Sequence, residues 1–175
     1  LRLVPWLPAT ALVICDFCHD DGRPVAEAPR SVLRRQLESL TKRRLTCNIA
    51  SELEFFLFNT SYHDAHAADY RGLTPSSDYR IDYHTMQPTR DEAIFRAVRN
   101  WMTEARVPVE SSKGEAGRGQ HEINLTYATA VEMADINLVF KNAVKEIAHS
   151  QGRSATFMAK SHFDDAGSSC HIHSS

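Results

Sequence analysis

Segments with a strand-like alternation of apolar and polar residues are interspersed along the chain with segments of helical period. Residues 10–18 are apolar and predict a buried strand. Pro29 predicts the first turn of a helix, and the β-rich run 47–58 predicts a second strand. The predicted helix has one leucine face, formed by Leu33, Leu37 and Leu40.

Two further helices are predicted in the second half of the chain. Residues 59–88 are polar and predict a long loop, which in a compact domain is usually functional or part of an interface. Two capping boxes, 89–92 and 129–132, predict helix starts because their side chains can satisfy free backbone N–H groups. The second of these helices is expected to end near Gly152. The apolar positions are Ile94, Val98 and Trp101 in one helix and Ile136, Phe140, Val144 and Ile147 in the other.

Four short segments complete the predicted secondary structure. They are strands at 107–110, 120–127 and 155–160 and a strand from Cys170 onward, with a glycine-rich turn at 114–119. Strands and helices follow one another without regular β-α-β alternation. The sequence therefore predicts an α+β fold with a mixed or antiparallel sheet and flanking helices.

Composition narrows the class of protein. The chain has 175 residues, 42% of them hydrophobic, which is enough for one domain with a core. The net charge of −2 gives no broad attraction for nucleic acid or an anionic membrane, and no apolar run approaches the ~20 residues of a membrane-spanning helix. Four cysteines without a second zinc-type pair fit apolar positions in a cytoplasmic protein. The first residue is not methionine, so we expect the true start to lie upstream.

Ionisable side chains recur at alternate positions of the predicted strands. Residues two apart on a strand face the same side, so Glu52 lies beside Glu54, and His171 beside His173. Glu122 lies on the strand that follows the glycine-rich turn. Neighbouring carboxylates repel each other unless solvent or a cation separates them. Mg²⁺ and Mn²⁺ prefer oxygen ligands, and Mn²⁺ also accepts imidazole.

These residues leave two interpretations open. One is a divalent-metal site, to which the turn would return Glu115, seven residues before Glu122. The other is the solvated face of an antiparallel sheet, where a single Glu-x-Glu or His-x-His pair is usually found.

Four motifs, taken in order, resemble the glutamine synthetase family of the bacterial type I kind. The resemblance covers nearly the whole chain, and four motifs in the right order are far more specific than any one of them. The segments that carry it are Pro5-Trp6 with Cys15-Asp16, Gly22 and Pro29-Arg30, then residues 51–58, then 113–115 with 119–123, and last 155–160 with 167–174.

The resemblance implies a division of the chain and a longer whole protein. Residues 1–28 would be the end of a small N-terminal β-grasp-like domain and its junction. Residues 29–175 would be the first part of a catalytic domain, truncated at its C-terminus. We expect the missing parts to supply a catalytic aspartate, another metal carboxylate, arginines for the phosphates and a flap over glutamate.

The implied activity is the ATP-dependent joining of ammonia or an amine to the γ-carboxylate of glutamate through γ-glutamyl phosphate. The resemblance implies two Mg²⁺ or Mn²⁺ ions per site. It implies metal ligands at Glu54, Glu115 and Glu122 for one ion and at Glu52 and His171 for the other. It implies ATP-binding residues at Glu110, Leu125, Thr126, Tyr127, His173, Ser174 and Ser175 and a glutamate site at Ala166 and Gly167. It assigns no catalytic side chain within the chain, and it implies a homo-oligomer built as a double ring of six.

Two segments depart from the family's pattern. Ala166 stands where the family has asparagine, and Lys113-Gly114 stands where it has two histidines. Both changes favour a relative that joins glutamate to an amine.

Two alternatives stand beside this hypothesis. One is a non-catalytic binding or regulatory module, or an inactive fragment. The other is a metal-dependent hydrolase with zinc on His171 and His173, which would need further ligands beyond Ser175.

Overall fold

The structure, a computed structural model, describes residues 2–175, in which five helices and eight strands form. The helices are α1 (Pro29–Lys42), α2 (Tyr62–Ala67), α3 (Met86–Arg90), α4 (Glu92–Glu104) and α5 (Ala130–Ser150). The strands are β1 (Arg2–Leu3), β2 (Ala11–Leu12), β3 (Asn48–Phe58), β4 (Val109–Gly114), β5 (Gln120–Leu125), β6 (Ala128–Thr129), β7 (Ser154–Thr156) and β8 (Cys170–Ser174). None of the described helices is long and apolar enough to cross a membrane.

Strand β3 is the centre of an antiparallel sheet of six strands. β5 and β6 pair with β3, and β4 pairs with β5. β7 and β8 also pair with β3. Because Glu52 pairs with Asn124 of β5 and with His171 of β8, those two strands lie on opposite sides of β3. The predicted α+β fold with an antiparallel sheet is confirmed.

One face of β3 belongs to the hydrophobic core. Leu53, Phe55 and Leu57 are at most 5% exposed and form one buried cluster with apolar side chains of α4 and α5. Alternation along the strand leaves Glu52 and Glu54 on the other face. The helical side chains of the cluster include Ile94, Phe95, Val98 and Met102 from α4 and Ile136, Phe140, Val144 and Ile147 from α5.

The predicted buried strand at 10–18 is wrong. Only β2 forms in this segment, paired with the equally short β1, and Val13 and Phe17 are 60% and 72% exposed. An apolar run becomes a core strand only when neighbouring strands take up its backbone hydrogen bonds, and β1 is too short to do so. The division of the chain at residues 28 and 29 stays a prediction.

The predicted helices α4 and α5 form, but without the predicted capping bonds. Thr89 lies in α3, and its hydroxyl donates to the carbonyl of Thr85 at 2.8 Å instead of capping α4. Thr129 precedes α5 without a side-chain capping bond. The predicted loop at 59–88 also contains α2 and the start of α3, so it is only partly irregular.

The predicted strand bounds are displaced by a few residues at two places. β4 covers 109–114 rather than 107–110, and β7 ends at Thr156 rather than at residue 160. The strand from Cys170 and the main part of the strand at 120–127 form as predicted. Displacements of this size are usual where hydrogen bonding to a neighbouring strand, not propensity, sets the ends.

A buried carboxylate, that of Asp91 just before α4, links three other parts of the chain. Its Oδ2 accepts a hydrogen bond from the Ser76 hydroxyl at 2.7 Å and lies 2.8 Å from Nε2 of His121 on β5. Its Oδ1 accepts from the Arg153 guanidinium at 2.5 Å, just before β7. Burial alone would raise the pKa of Asp91, but these hydrogen bonds outweigh it and lower the pKa below its ordinary value of 3.8.

The Asp91 cluster should make the fold sensitive to acid. We expect Asp91→Asn to lower the free energy of unfolding at pH 7 by about 3 kcal/mol, because it leaves buried partners unmatched. Since the folded pKa lies below the unfolded one, the carboxylate stabilises the fold above about pH 4 and stops doing so as the pH falls through the folded pKa. Urea unfolding of the parent and the variant at several pH values measures both effects.

The matched control is Asp78→Asn, an exposed aspartate in the segment between α2 and α3, which also contains Ser76. It should change stability by less than about 0.5 kcal/mol. Equal effects of the two substitutions would contradict a structural role for Asp91.

Candidate metal centre

The pairing of β3 with β5 and β8 places the predicted ligands side by side. Glu54 pairs directly with Glu122 on β5. Glu52 pairs with His171 on β8. Directly opposed residues of antiparallel strands have neighbouring side chains on the same face. The sheet register therefore brings four of the five predicted metal ligands together.

The five predicted ligands form two overlapping groups. Glu54, Glu115 and Glu122 form the first group, and Glu52, Glu122 and His171 form the second. Within each group, one potential ligand atom from every residue lies within 4.8 Å of the others. Glu122 belongs to both groups, an overlap that the sequence motifs did not predict.

The turn between β4 and β5 returns Glu115 to the sheet. Its backbone N–H donates to the Gln120 carbonyl at 2.8 Å, which closes the turn. Gly119 has a φ of +68°, and a Cβ there would lie 2.7 Å from the carbonyl oxygen of Leu57. Only glycine fits that position without strain, so the glycines that marked the turn in the sequence are required by its contact with β3.

The first group is a buried concentration of negative charge. Glu54, Glu115 and Glu122 are all less than 10% exposed. Burial raises the pKa of Glu122, and the carboxylates of Glu115 and Glu52 raise it further against the opposing effect of Lys113. Carboxylates this close and this buried need a compensating positive charge.

The donor set fits a hard divalent cation. Carboxylate oxygens suit both Mg²⁺ and Mn²⁺, and the single imidazole of His171 is better suited to Mn²⁺. Asn124 pairs with Glu52 across the strands, and its side-chain oxygen is buried without a hydrogen-bond donor among residues 2–175. An unsatisfied buried acceptor beside a carboxylate cluster is what a cation or its bound water would complete.

Gln120 connects the first group to the predicted glutamate site, and sequence reasoning missed it. Its side-chain amide donates to Glu54 Oε2 and to the carbonyl oxygen of Gly167, each at 2.8 Å. Gly167 and its neighbour Ala166 therefore lie beside the carboxylate cluster. The backbone N–H of Ala166 donates to Asp165, whose carboxylate also accepts from Arg118 at 3.1 Å. These contacts hold the segment before β8 against the cluster.

Lys113 is a second residue that was not recognised as part of the site. Its ammonium group forms an ion pair with Glu115 and lies 3.4 Å from Oδ1 of Asp82. It also lies 4.2 Å from the centre of the Tyr83 ring. Burial alone would lower the pKa of Lys113, but the carboxylates of Glu115, Glu122 and Asp82 raise it above its ordinary value. The sequence alone does not show this contact, because Glu115 lies beyond the end of β4, in the turn that leads to β5.

The predicted nucleotide residues lie around the second group to different degrees. Glu110, Leu125 and His173 line one hollow of about 320 Å³ together with Glu52. Nε2 of His173 lies 3.0 Å from a carboxylate oxygen of Glu52, and Nδ1 of His171 lies 3.3 Å from the other, so both histidines contact Glu52. Tyr127 is 66% exposed. The others lie at strand ends: Thr126 follows β5, Ser174 ends β8, and Ser175 exchanges backbone hydrogen bonds with Asn48.

Comparison with known proteins adds an independent finding. Residues 26–175 match the sequence family described as glutamine synthetase, catalytic domain. Over 173 residues, the chain is 46% identical to γ-glutamylethanolamide synthetase of Streptomyces coelicolor, covering 99% of this chain and 37% of that protein. Over 175 residues, it is 38% identical to glutamate–isopropylamine ligase of a Pseudomonas species, covering 100% of this chain and 38% of that protein.

A solved structure shares the fold as well as part of the sequence. The structure of GmaS in complex with ADP superimposes with a TM-score of 0.78 at 28% identity, covering 90% of this chain and 35% of that one. The chain spans less than two fifths of the length of each of these three proteins. The match to the family covers 150 of the 175 residues, among them the whole carboxylate cluster. The chain therefore belongs to the glutamine synthetase catalytic-domain family.

Proposed function

We propose that the protein containing this chain is an ATP-dependent ligase that forms an amide between the γ-carboxylate of glutamate and an amine or ammonia. The observation that carries the proposal is the pair of overlapping ligand groups in a chain of this family. A buried carboxylate cluster without a cation would be a costly feature for a domain that only binds or folds.

The two groups would each hold one Mg²⁺ or Mn²⁺ ion. Glu54, Glu115 and Glu122 would bind the first ion, and Glu52 with His171 the second. Divalent ions held in this way neutralise charge on phosphoryl oxygens and help to orient a transferring phosphate. The chain's own contribution is rigidity, because each ligand sits on a paired strand or on a turn hydrogen-bonded to β3.

The remaining site residues would position ATP and glutamate. The hollow lined by Glu110, Leu125 and His173 adjoins Glu52, which supports nucleotide binding there, with its phosphates near the ligand groups. The ADP bound by GmaS is in keeping with that role. Glutamate would lie near Ala166 and Gly167, which Gln120 holds beside Glu54. Thr126, Tyr127, Ser174 and Ser175 complete the proposed nucleotide site.

An amine is the acceptor that we favour over ammonia. The two relatives compared above are named for the joining of ethanolamine or isopropylamine to glutamate. Ala166 and Lys113 also depart from the family's usual side chains next to the proposed glutamate and metal sites. A small primary amine is therefore the proposed class of acceptor.

The assembly and the compartment are part of the proposal. We propose a homo-oligomer located in the cytoplasm, built as the two rings of six subunits each that the family resemblance implies. All four cysteines are unpaired, as is usual in a reducing compartment.

Metal binding should depend on the buried carboxylates. We expect Glu54→Gln and Glu122→Gln each to weaken Mn²⁺ binding by at least about tenfold, because each removes a negatively charged ligand. The measurement is a calorimetric Mn²⁺ titration of the full-length protein, with circular dichroism to check folding. Glu38→Gln, at an exposed position on α1, is the matched control and should bind as the parent does. If both ligand variants bind Mn²⁺ as tightly as the parent, the site is a charged sheet face.

Turnover should require all the proposed substrates together. We expect phosphate release from ATP when glutamate, Mn²⁺ and a small primary amine such as ethanolamine are present, and little when any of them is omitted. A coupled phosphate assay over a panel of amines and ammonia measures this. A folded full-length protein that binds ATP and Mn²⁺ but turns over with no acceptor would contradict the ligase and favour a non-catalytic binding module.

A further inference from the structure

The ammonium group of Lys113 lies within the carboxylate cluster. Lys113 on β4 pairs with Glu122 on β5, and Glu115 follows in the turn just after β4. Its ion pair is with Glu115, and the Lys113 side chain is only 23% exposed. A fixed positive charge therefore contacts one proposed metal ligand and lies beside a second.

Lys113 also has partners on the side away from the sheet. Asp82 and Tyr83, in the segment between α2 and α3, approach the ammonium group at 3.4 Å and 4.2 Å. The carboxylate attracts the ammonium by charge, and the ring attracts it through its electron-rich face. The Lys113 side chain thus lies between the proposed metal ligands and a second acceptor site on the segment 68–85.

A divalent cation on Glu115 would meet this ammonium at short range. Like charges separated by a few ångströms in a partly buried site repel strongly. The cation and the ammonium also compete for the same carboxylate group, that of Glu115. Metal binding must therefore either proceed against Lys113 or move its ammonium group towards Asp82 and Tyr83.

We propose that Lys113 is a resident counter-ion of the Glu54–Glu115–Glu122 cluster. It compensates the carboxylates before metal binding, lowers the affinity for the divalent cation, and transfers to Asp82 and Tyr83 when the cation binds. Lys113 is a positioning residue that acts through Glu115. This inference rests on the proposed metal site.

Removing the ammonium should strengthen metal binding. We expect Lys113→Gln to bind Mn²⁺ at least about tenfold more tightly than the parent, since the competing charge on Glu115 is gone. The probe is Mn²⁺ alone, titrated into the full-length protein and followed by electron paramagnetic resonance of the free ion. Lys145→Gln, an exposed lysine on α5, makes the same change in net charge and should leave the affinity within about twofold of the parent.

Removing the carboxylate of Asp82, the second partner of the Lys113 ammonium group, should weaken metal binding. Asp82→Asn leaves Lys113 with Glu115 as its main partner, so we expect Mn²⁺ binding to weaken about threefold. In the Lys113→Gln background, Asp82→Asn should have almost no effect, because there is no ammonium to transfer. A general loss of structure in the variants would lower the affinity in every case and would not reproduce this pattern of opposite signs.

Thermal unfolding gives a readout that does not depend on activity. Without Mn²⁺, Lys113→Gln should melt at a lower temperature than the parent, because its carboxylates are uncompensated. Its melting temperature should rise more than that of the parent in saturating Mn²⁺.

If the parent binds Mn²⁺ and Lys113→Gln binds it equally or more weakly, the counter-ion proposal is overturned and the metal site stands. If neither the parent nor any variant binds Mn²⁺, the metal site fails and the counter-ion proposal with it. Should Lys113→Gln not fold, weaker Mn²⁺ binding by an Asp82→Asn variant that melts at the temperature of the parent supports the proposal, and unchanged binding overturns it.

Discussion

Strand β3 has to satisfy two opposite environments along the same eleven residues, and the rest of the domain is arranged around that constraint. One face is apolar and is covered by α4 and α5, while the other carries carboxylates that need neighbours of their own. Pairing on both sides supplies them, since β5 brings Glu122 and β8 brings His171. The helices on one face of the sheet and the ligand groups on the other are two results of one alternating pattern.

The strength of that pattern decides what the sequence could predict about the fold. β3, α4 and α5 have long, regular periods with clear apolar faces, and their existence and type were predicted. The shorter strands β5 and β8 were predicted as well, from local alternation of residue types. The strand at 10–18 failed because apolar residues alone do not supply a hydrogen-bonding partner, and only β1 is available to β2. The capping boxes failed because a cap depends on the local backbone path: α3 carries Thr89 into a preceding helical turn, and Asp91 takes the position before α4.

The candidate site was predictable where it depended on one strand and unpredictable where it depended on several. Glu52 and Glu54 share a face by alternation alone, and Glu115 was expected to return because glycines mark the turn. The overlap of the two groups at Glu122 and the link through Gln120 arise from contacts between strands and with the segment before β8. Lys113 was noticed as a departure from a family pattern, but its ion pair with Glu115 depends on the β4–β5 turn. The ligand and substrate roles stay predictions.

The two different faces of β3 make the fold sensitive to the register in which this strand pairs with its neighbours. A slip of one residue against β5 or β8 would exchange the faces, moving Glu52 and Glu54 into the core and Leu53 and Phe55 to the ligand side. A slip of one residue therefore removes the apolar packing and the ligand groups together. Any ion that binds the carboxylates would stabilise the native alignment and not an alignment shifted by one residue, and so would favour the native register of the central strand.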